Sequence, residues 1–177
     1  MQKVDKLKWR TVSVIQKWYD PDNEIADAIR SGKITIEDAK RLYKKNFLGE
    51  YVKYGNIILD NGATVILQLL TGASGVNPYN NAYAQICVSN NNSSPSPSMT
   101  NLDGTQSACL PMNSGYPSVS GNTATFQATA STSQANFCWY MWGLYNGSTY
   151  LNAVQVNMGT KTSNETWTIT VKLQVST

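Results

Sequence analysis

Carboxylates and thiols are the side chains of this sequence that could do acid–base or nucleophilic chemistry, because the chain contains no histidine. Only three acids, Asp60, Asp103 and Glu165, occur in residues 55–177. No two of them form an evident pair to flank a glycosidic bond, as glycoside hydrolysis requires. A serine or cysteine nucleophile would lack its usual histidine base. The sequence therefore predicts a protein that is not an enzyme, with a site assembled between the chains of an oligomer as the remaining catalytic alternative.

The three cysteines, Cys87, Cys109 and Cys138, are widely spaced and odd in number, which does not match a metal-binding motif. We interpret them first as small buried apolar side chains, and the alternative is one disulfide with one free thiol. The loop at residues 72–75 contains glycines but no lysine, and it does not lead from a strand into a helix, so it does not match a phosphate-binding loop. We predict no metal and no cofactor.

Charge divides the chain into two regions. Residues 1–54 carry 12 lysines and arginines and 8 acids, whereas residues 55–177 carry only 2 lysines and 3 acids. We predict a charged N-terminal arm at residues 1–55, with two short helices, that acts as a docking segment for a β-rich body at residues 56–177. The first ten residues are mostly polar and have no apolar core segment, so we predict no signal peptide. No apolar run approaches the length of a membrane span.

Three helices are predicted. In the arm, one helix covers Glu24–Arg30, and a second is capped by Thr35 and runs to about Phe47. In the body, an apolar stripe at helical spacing predicts a helix at about Gly62–Thr71 that packs against a sheet. Residues 8–18 fit either a short strand or an extended arm.

Four basic residues, Lys40, Arg41, Lys44 and Lys45, share the second predicted helix. The first interpretation is a solvated face, with cations favourably placed near the C-terminus of the helix. The alternative is a basic patch that meets an acidic partner surface. Nucleic acid is not the predicted partner, because acids interrupt the basic region and no groove-reading motif is present.

The segment 136–152 concentrates large apolar side chains, including Trp139 and Trp142. Its aromatic content and the turn at Asn146-Gly147 predict a β-hairpin. Odd- and even-numbered positions of this strand are both apolar. One face is therefore expected to meet the core, and the other a second sheet, a helix or a neighbouring subunit. Because Trp139 and Trp142 differ in parity, we predict that they do not face the same core. This pattern indicates a homo-oligomer, for which a trimer is the first expectation.

The rest of residues 81–177 reads as short strands separated by turns rich in Asn, Gly and Ser. The clearest is Trp167–Val175, in which Trp167 and every second residue after it are apolar. The predicted fold class is mainly β: an antiparallel sandwich or barrel-like body with one packed helix, preceded by a small helical N-terminal arm.

Aromatic side chains beside Asn and Gln are also typical of carbohydrate recognition. Five tyrosines lie at or near predicted loops, namely Tyr79, Tyr83, Tyr116, Tyr145 and Tyr150. For each of them a place in the core or in a subunit interface is the first interpretation, and sugar contact is the alternative. The residues that we predict for an interface with other subunits or proteins are Trp9, Trp18, Tyr19, Lys40, Arg41, Lys44, Lys45, Tyr140, Trp142 and Tyr145.

Short motifs spread from Asn56 to the C-terminus resemble virion structural proteins of tailed bacteriophages. They are Asn56-Ile57-Ile58-Leu59 with Gly62, Leu69-Leu70-Thr71-Gly72, Tyr79-Asn80-Asn81-Ala82, Met112, Gly115-Tyr116-Pro117, Ala135-Asn136-Phe137, Trp142-Gly143-Leu144-Tyr145-Asn146, Leu151-Asn152, Gly159-Thr160-Lys161-Thr162 and Trp167. The stretch Trp142–Asn146 is also similar to a tail-collar fibre motif. The chain departs from the pattern at Met141, where an acid is common, and at Ala153, where a base is common, which indicates a structural role for that place.

The resemblance implies a non-enzymatic structural component of a tailed-phage virion, assembled in the host cytoplasm. A capsid decoration or cement protein anchored through the N-terminal arm is the first expectation, because the chain is short and lacks fibre-like repeats. The alternatives are a tail fibre or adaptor protein and a receptor- or glycan-binding module. The implied partners are other virion proteins, further copies of the chain and a glycan receptor, with no nucleic acid and no membrane.

Overall fold

The computed structural model of the protein describes residues 8–176. It contains ten strands and three helices, in the order β1 (Lys8–Tyr19), α1 (Glu24–Arg30), α2 (Ile36–Leu42), β2 (Phe47–Tyr54), β3 (Ile57–Ile58), α3 (Asp60–Leu70), β4 (Gln85–Ser89), β5 (Ser107–Pro111), β6 (Ser118–Ser120), β7 (Thr123–Ala130), β8 (Cys138–Tyr145), β9 (Asn152–Thr160) and β10 (Glu165–Ser176). Among these residues, no helix has the length and apolar character that would let it cross a membrane.

The strands form two antiparallel sheets of five, which confirms the predicted mainly β sandwich. The first sheet has the order β2-β1-β10-β7-β6, and the second has the order β3-β9-β8-β4-β5. The main core lies between their inner faces. As the alternation in β10 predicted, Trp167, Ile169 and Val171 are buried in this core.

The region expected to be a docking arm is instead part of the sandwich. β1 pairs with β10 along its whole length, from Lys8↔Ser176 to Tyr19↔Glu165, and pairs on its other side with β2. Composition was misleading because most charged side chains of this region occupy exposed places, whereas the inward positions of β1 include the buried Thr11, Ser13 and Ile15. Lys17 also points inward, where it is half-buried and donates to the carbonyl of Met158 on β9. A boundary near residue 55 therefore does not separate an arm from a body in the described residues. Residues 1–7 of the expected arm lie outside them.

The two helices of this region cover part of the outer face of the first sheet, the face opposite the main core. Trp18, Ile25, Ile29 and Ala39 form a small buried cluster there. The buried carboxylate of Asp20 accepts hydrogen bonds from the backbone of α1 and, at 2.8 Å, from Thr166 Oγ1 on β10. This carboxylate fixes the start of α1 to the sheet.

Helix α1 has the predicted bounds, but α2 is shorter than predicted. It begins after the expected Thr35 cap, which forms a capping box with Asp38, and it ends at Leu42. The prediction extended it to Phe47, which instead starts β2 and packs on Trp18 with a ring separation of 5.6 Å. Tertiary packing of Phe47 thus outweighs its helical spacing.

Helix α3 begins at Asp60, two residues before the predicted start at Gly62, and lies directly on the strand-to-strand connection before β9. A Cβ on Gly62 would collide with the backbone of Leu151. Glycine therefore allows the helix to approach the hairpin closely. This contact explains why an apolar helical stripe begins at a residue with poor helix propensity.

The predicted hairpin is present as β8 and β9, but the prediction for its two tryptophans is wrong. Trp139 and Trp142 are both fully buried in the main core. The β8–β9 register shifts between Trp139 and Met141, and this irregularity lets residues of opposite parity face the same side. The rings of Trp139 and Trp167 pack edge to face, with their centres 4.9 Å apart.

The second apolar face of β8 is covered by the same chain. Met141 is buried with Leu59, Cys87, Leu102 and Ala153 in a separate cluster on the far side of the second sheet. The residues that cover this face belong to the same chain, and they include Leu59 just before α3 and Leu102 in the loop between β4 and β5. The apolarity of this strand is therefore satisfied without a neighbouring subunit.

The cysteines adopt the alternative arrangement of one disulfide and one free thiol. Cys87 on β4 and Cys109 on β5 face each other across the pair and are joined, whereas Cys138 is free and half-buried. The first interpretation, three buried apolar side chains, is wrong. Strand register brings the two sulfurs together, and spacing in the sequence could not supply that register.

Candidate functional site

The aromatic residues predicted for an interface lie in different environments. Trp18 and Trp142 are fully buried and cannot contact another molecule, so the prediction is wrong for both. Trp9 is half-buried against the main core, and Tyr140 and Tyr145 are half-buried on β8. Tyr19, 48% exposed at the end of β1, is the member of this group with a free surface.

The four basic residues do not form a uniform positive patch. Lys40 Nζ lies 2.7 Å from Glu50 Oε2 and 3.6 Å from Glu37, and Arg41 lies 3.1 Å from Asp38. The hydrogen bond that Lys40 donates to the carboxylate of Glu50 raises the pKa of Lys40. Lys44 and Lys45 are exposed in the turn after α2. Because two of the four cations are paired within the chain, an acidic partner surface has less to bind than the sequence suggested.

A long exposed sheet edge is the first candidate interaction surface. β2 is the terminal strand of the first sheet, and it exposes Leu48 (53%), Tyr51 (41%) and Tyr54 (73%). Together with Val52 on β2, Tyr19 beside its start and Leu42 at the end of α2, these residues make up six of the ten exposed large apolar side chains in residues 8–176. We call β2 with Tyr19 and Leu42 the β2 edge.

A groove on the outer face of the first sheet is the second candidate surface. We call it the outer groove. Its floor consists of side chains from β1, β2, β7 and β10, its walls are α2 and the loop that carries Tyr116, and its volume is about 420 Å³. A second depression of about 540 Å³ continues it along the face past Lys172 towards Arg10 and Tyr54. The lining residues that matter below are Val14, Gln16, Val52, Gln127, Thr170 and Lys172.

The floor of the outer groove contains an ordered amide–hydroxyl network. Gln127 Nε2 donates to Thr170 Oγ1 at 3.1 Å, and Asn113 Nδ2 donates to Gln127 Oε1 at 2.9 Å. Asn113 is 2% exposed, so the chain holds Gln127 from beneath. Gln16, 5% exposed, lies beside them, and its Oε1 has no hydrogen-bond partner among the described residues.

Alternation in the last strand places Thr170 and Lys172 on the polar face of a half-buried strand, but it does not predict a groove. The available signal was the run of Thr170, Lys172 and Gln174 at alternate positions of the last strand. Their neighbours Gln16 and Gln127 come from strands far away in the sequence. The groove therefore depends on strand order and register, which alternation within one strand does not reveal.

The five loop tyrosines behave mostly as packing residues. Tyr79 donates from its hydroxyl to the Thr149 carbonyl at 3.2 Å, and burial raises its pKa. Tyr145 and Tyr150 pack with ring centres 4.5 Å apart, and burial, with a smaller contribution from Tyr145, raises the pKa of Tyr150 to about 12. Tyr83 is exposed, and Tyr116 lines the outer groove.

The acids that sequence reasoning considered for catalysis do not converge. Glu165 accepts a hydrogen bond from Trp167 Nε1 at 2.7 Å, and Asp60 occupies the first turn of α3. Within residues 8–176, no group of three or more His, Cys, Asp and Glu side chains is arranged to hold a metal ion. Comparison of the chain with protein-family models, with curated proteins and with solved structures finds no match.

One buried cation predicts a measurable pH effect. Lys161 is 1% exposed, and its Nζ donates to Asn136 Oδ1 at 2.7 Å. Burial lowers its pKa from 10.5 to about 8; Glu165 opposes this shift and Arg30 adds to it. Between these two pH values the unfolded chain holds more protons than the folded chain, so the free energy of unfolding should rise with pH in this window.

We expect the Lys161→Met variant to lack this rise. The measurement is urea unfolding of the native protein and the variant at pH 7, 8, 9 and 10. The stability of the native protein relative to the variant should increase towards pH 10. Parallel pH profiles for the two proteins would show that Lys161 does not titrate with a lowered pKa.

Proposed function

We propose that the protein is a non-enzymatic structural component of a tailed-phage virion, and that it binds its neighbours through the β2 edge. A capsid decoration or cement protein is the first choice, and a tail fibre or adaptor protein is the alternative. The partners are other virion proteins or further copies of the chain. The resemblance of residues 56–177 supplies the class of particle, and the β2 edge is the observation that carries the attachment.

The physical argument concerns unpaired strand edges. An edge strand presents backbone N–H and C=O groups that can pair with another chain, and proteins usually shorten, charge or cover such edges. β2 is eight residues long and carries exposed Leu48, Tyr51 and Tyr54. The other edge of this sheet, β6, has only three residues. Exposed apolar surface of this kind marks sites of protein interaction.

The attachment surface falls within the region expected to form a docking arm, but it cannot be tested by removing that region. Deleting residues 1–54 would eliminate β1, which lies between β2 and β10. The β10 edge and part of the main core would then be exposed. Point substitutions on the β2 edge leave the sandwich intact and are the appropriate test.

The test compares two edges of one sheet. We expect Leu48→Lys combined with Tyr51→Lys to reduce incorporation into virions, or self-association, at least about tenfold, because charged side chains on an edge oppose strand pairing. The matched control is Val119→Lys on β6, where the side chain is 76% exposed. Virions would be purified after complementation with each variant, and oligomeric state would be measured by light scattering.

Two outcomes decide the proposal. Normal incorporation and self-association of the edge variant would rule out the β2 edge as the attachment surface. Absence of the native protein from purified virions would overturn the virion assignment itself. Imaging of labelled particles then distinguishes a capsid position from a tail position.

A further inference from the structure

We propose that the outer groove is a binding site for a neutral saccharide. This proposal does not rest on the virion assignment, since it concerns a different ligand; Val52 of β2 lines the groove, but Leu48 and Tyr51, which test the β2 edge, do not. The groove's volume of about 420 Å³ lies in the range of small-molecule sites, roughly 300–1,000 Å³. Four strands form its floor, and α2 and the loop that carries Tyr116 form its walls.

The chemistry of the floor matches a ligand rich in hydroxyl groups. Gln16, Gln127 and Thr170 present amides and a hydroxyl, which both donate and accept hydrogen bonds as sugar hydroxyls do. The contacts of Gln127 with Thr170 and Asn113 fix its orientation before any ligand arrives. Such preorganised polar groups reduce the ordering that binding would otherwise require.

The amide oxygen of Gln16 is a hydrogen-bond acceptor at the groove that has no partner among the described residues. Buried polar atoms in folded proteins nearly always have a hydrogen-bond partner, so an exception requires an explanation. Gln16 is 5% exposed and lines the groove, yet its Oε1 has no partner among the described residues. A ligand hydroxyl would supply the missing donor once the amide turns towards the groove.

The apolar residues that line the groove favour a sugar ring over a charged ligand. Val14, Val52 and Tyr116 supply apolar surface for the C–H face of a ring. The charges at the groove are largely balanced, because Lys40 is paired with Glu37 and Glu50. Lys172 remains as a donor to a ligand hydroxyl.

A peptide is the less suitable occupant. Peptides that bind sheets usually pair with a free strand edge through backbone hydrogen bonds. The floor of the outer groove is the face of the sheet, where the backbones of β1 and β10 already pair with each other and with β2 and β7. Only side chains are available there to bind a ligand, and side-chain amides and hydroxyls can form hydrogen bonds with a polyol.

The experiment starts from a glycan array that contains neutral, sialylated and uronic-acid oligosaccharides, with the full-length protein as the probe. A bound neutral oligosaccharide is then titrated calorimetrically against the native protein and variants. We expect Gln127→Ala to weaken binding at least about tenfold, since hydrogen-bonding sites discriminate strongly against a missing partner. Thr125→Arg, which would fill the groove without touching Asn113, is expected to abolish binding. The matched control Gln106→Ala, on an exposed loop outside the groove, is expected to bind normally.

Each outcome has a defined meaning. Saccharide binding that both groove variants lose, with unchanged thermal unfolding of Thr125→Arg, supports the proposal. No array binding, binding only to acidic glycans, binding that survives both substitutions, or binding of peptides instead would overturn it. The Leu48→Lys and Tyr51→Lys variant should still bind saccharide, and Thr125→Arg should still join particles. The two proposals can therefore fail separately.

Discussion

Replacement of Trp142 by alanine should lower the free energy of unfolding by about 3–5 kcal/mol, as for other large aromatic residues removed from cores. Trp142 is fully buried between the two sheets, in the same cluster as Trp139. Its removal would leave a cavity that the paired strands cannot close. The sequence suggested an interface for this residue, so the experiment separates a packing role from a binding role.

The measurement for Trp142→Ala is equilibrium urea unfolding, combined with the oligomeric state of the folded protein. A matched control is Trp9→Ala. Trp9 is only half-buried near the start of β1, so its replacement should lower the free energy of unfolding by less. Trp142→Phe should also cost less than alanine, because the indole Nε1 of Trp142 has no hydrogen-bond partner within residues 8–176. Unchanged stability with lost self-association would contradict the core assignment.

Removal of the Cys87–Cys109 disulfide should destabilise the protein by about 3 kcal/mol, as expected from loop closure for a separation of this size. The two cysteines are 22 residues apart and connect β4 to β5. The bond therefore restrains the long loop between these strands in the unfolded chain. For a domain of this length, a loss of about 3 kcal/mol lowers the melting temperature by roughly 6–12 °C.

The double variant Cys87→Ala with Cys109→Ala tests this expectation by calorimetry. Cys138→Ala serves as the control, because Cys138 is free and half-buried. Reduced native protein should melt near the temperature of the double variant. If reduction and the double substitution both leave the melting temperature unchanged, the bond does not contribute to the stability of the fold.

Several parts of the fold followed from local patterns. Alternation gave the inward face of β10, and a turn dipeptide within an aromatic run gave the β8–β9 hairpin. Helix α1 followed from its apolar spacing and a flanking glycine. These features depend on interactions between residues close together in the chain, so the sequence contains the information directly.

Other parts depended on contacts between distant residues. Charge composition suggested that residues 1–55 form a separate arm, but β1 pairs with β10 along its whole length, and Ile15 on β1 is buried in the main core. A register shift between Trp139 and Met141 changed the face to which a whole strand segment points. No periodicity argument contains such a shift, because the argument assumes a regular pleat.

The candidate site was less predictable than the fold. The outer groove joins Gln16 on β1 to Gln127 on β7 and Thr170 on β10, and none of these residues is unusual in its own segment. The β2 edge was missed because of a wrong local assignment. Phe47 was assigned to a helix, so the strand that begins with it was not recognised as the edge of a sheet.

The pairing of β1 with β10 determines when the molecule can finish folding. Ile15 lies opposite Ile169, so the centre of the first sheet joins residues from nearly opposite ends of the described chain. Contacts between such distant residues make folding slow. During translation β1 can pair early with β2, but its second edge must wait until β10 has left the ribosome. A nascent chain therefore carries an open strand edge through most of its synthesis, and unpaired strand edges make incompletely folded chains prone to aggregate.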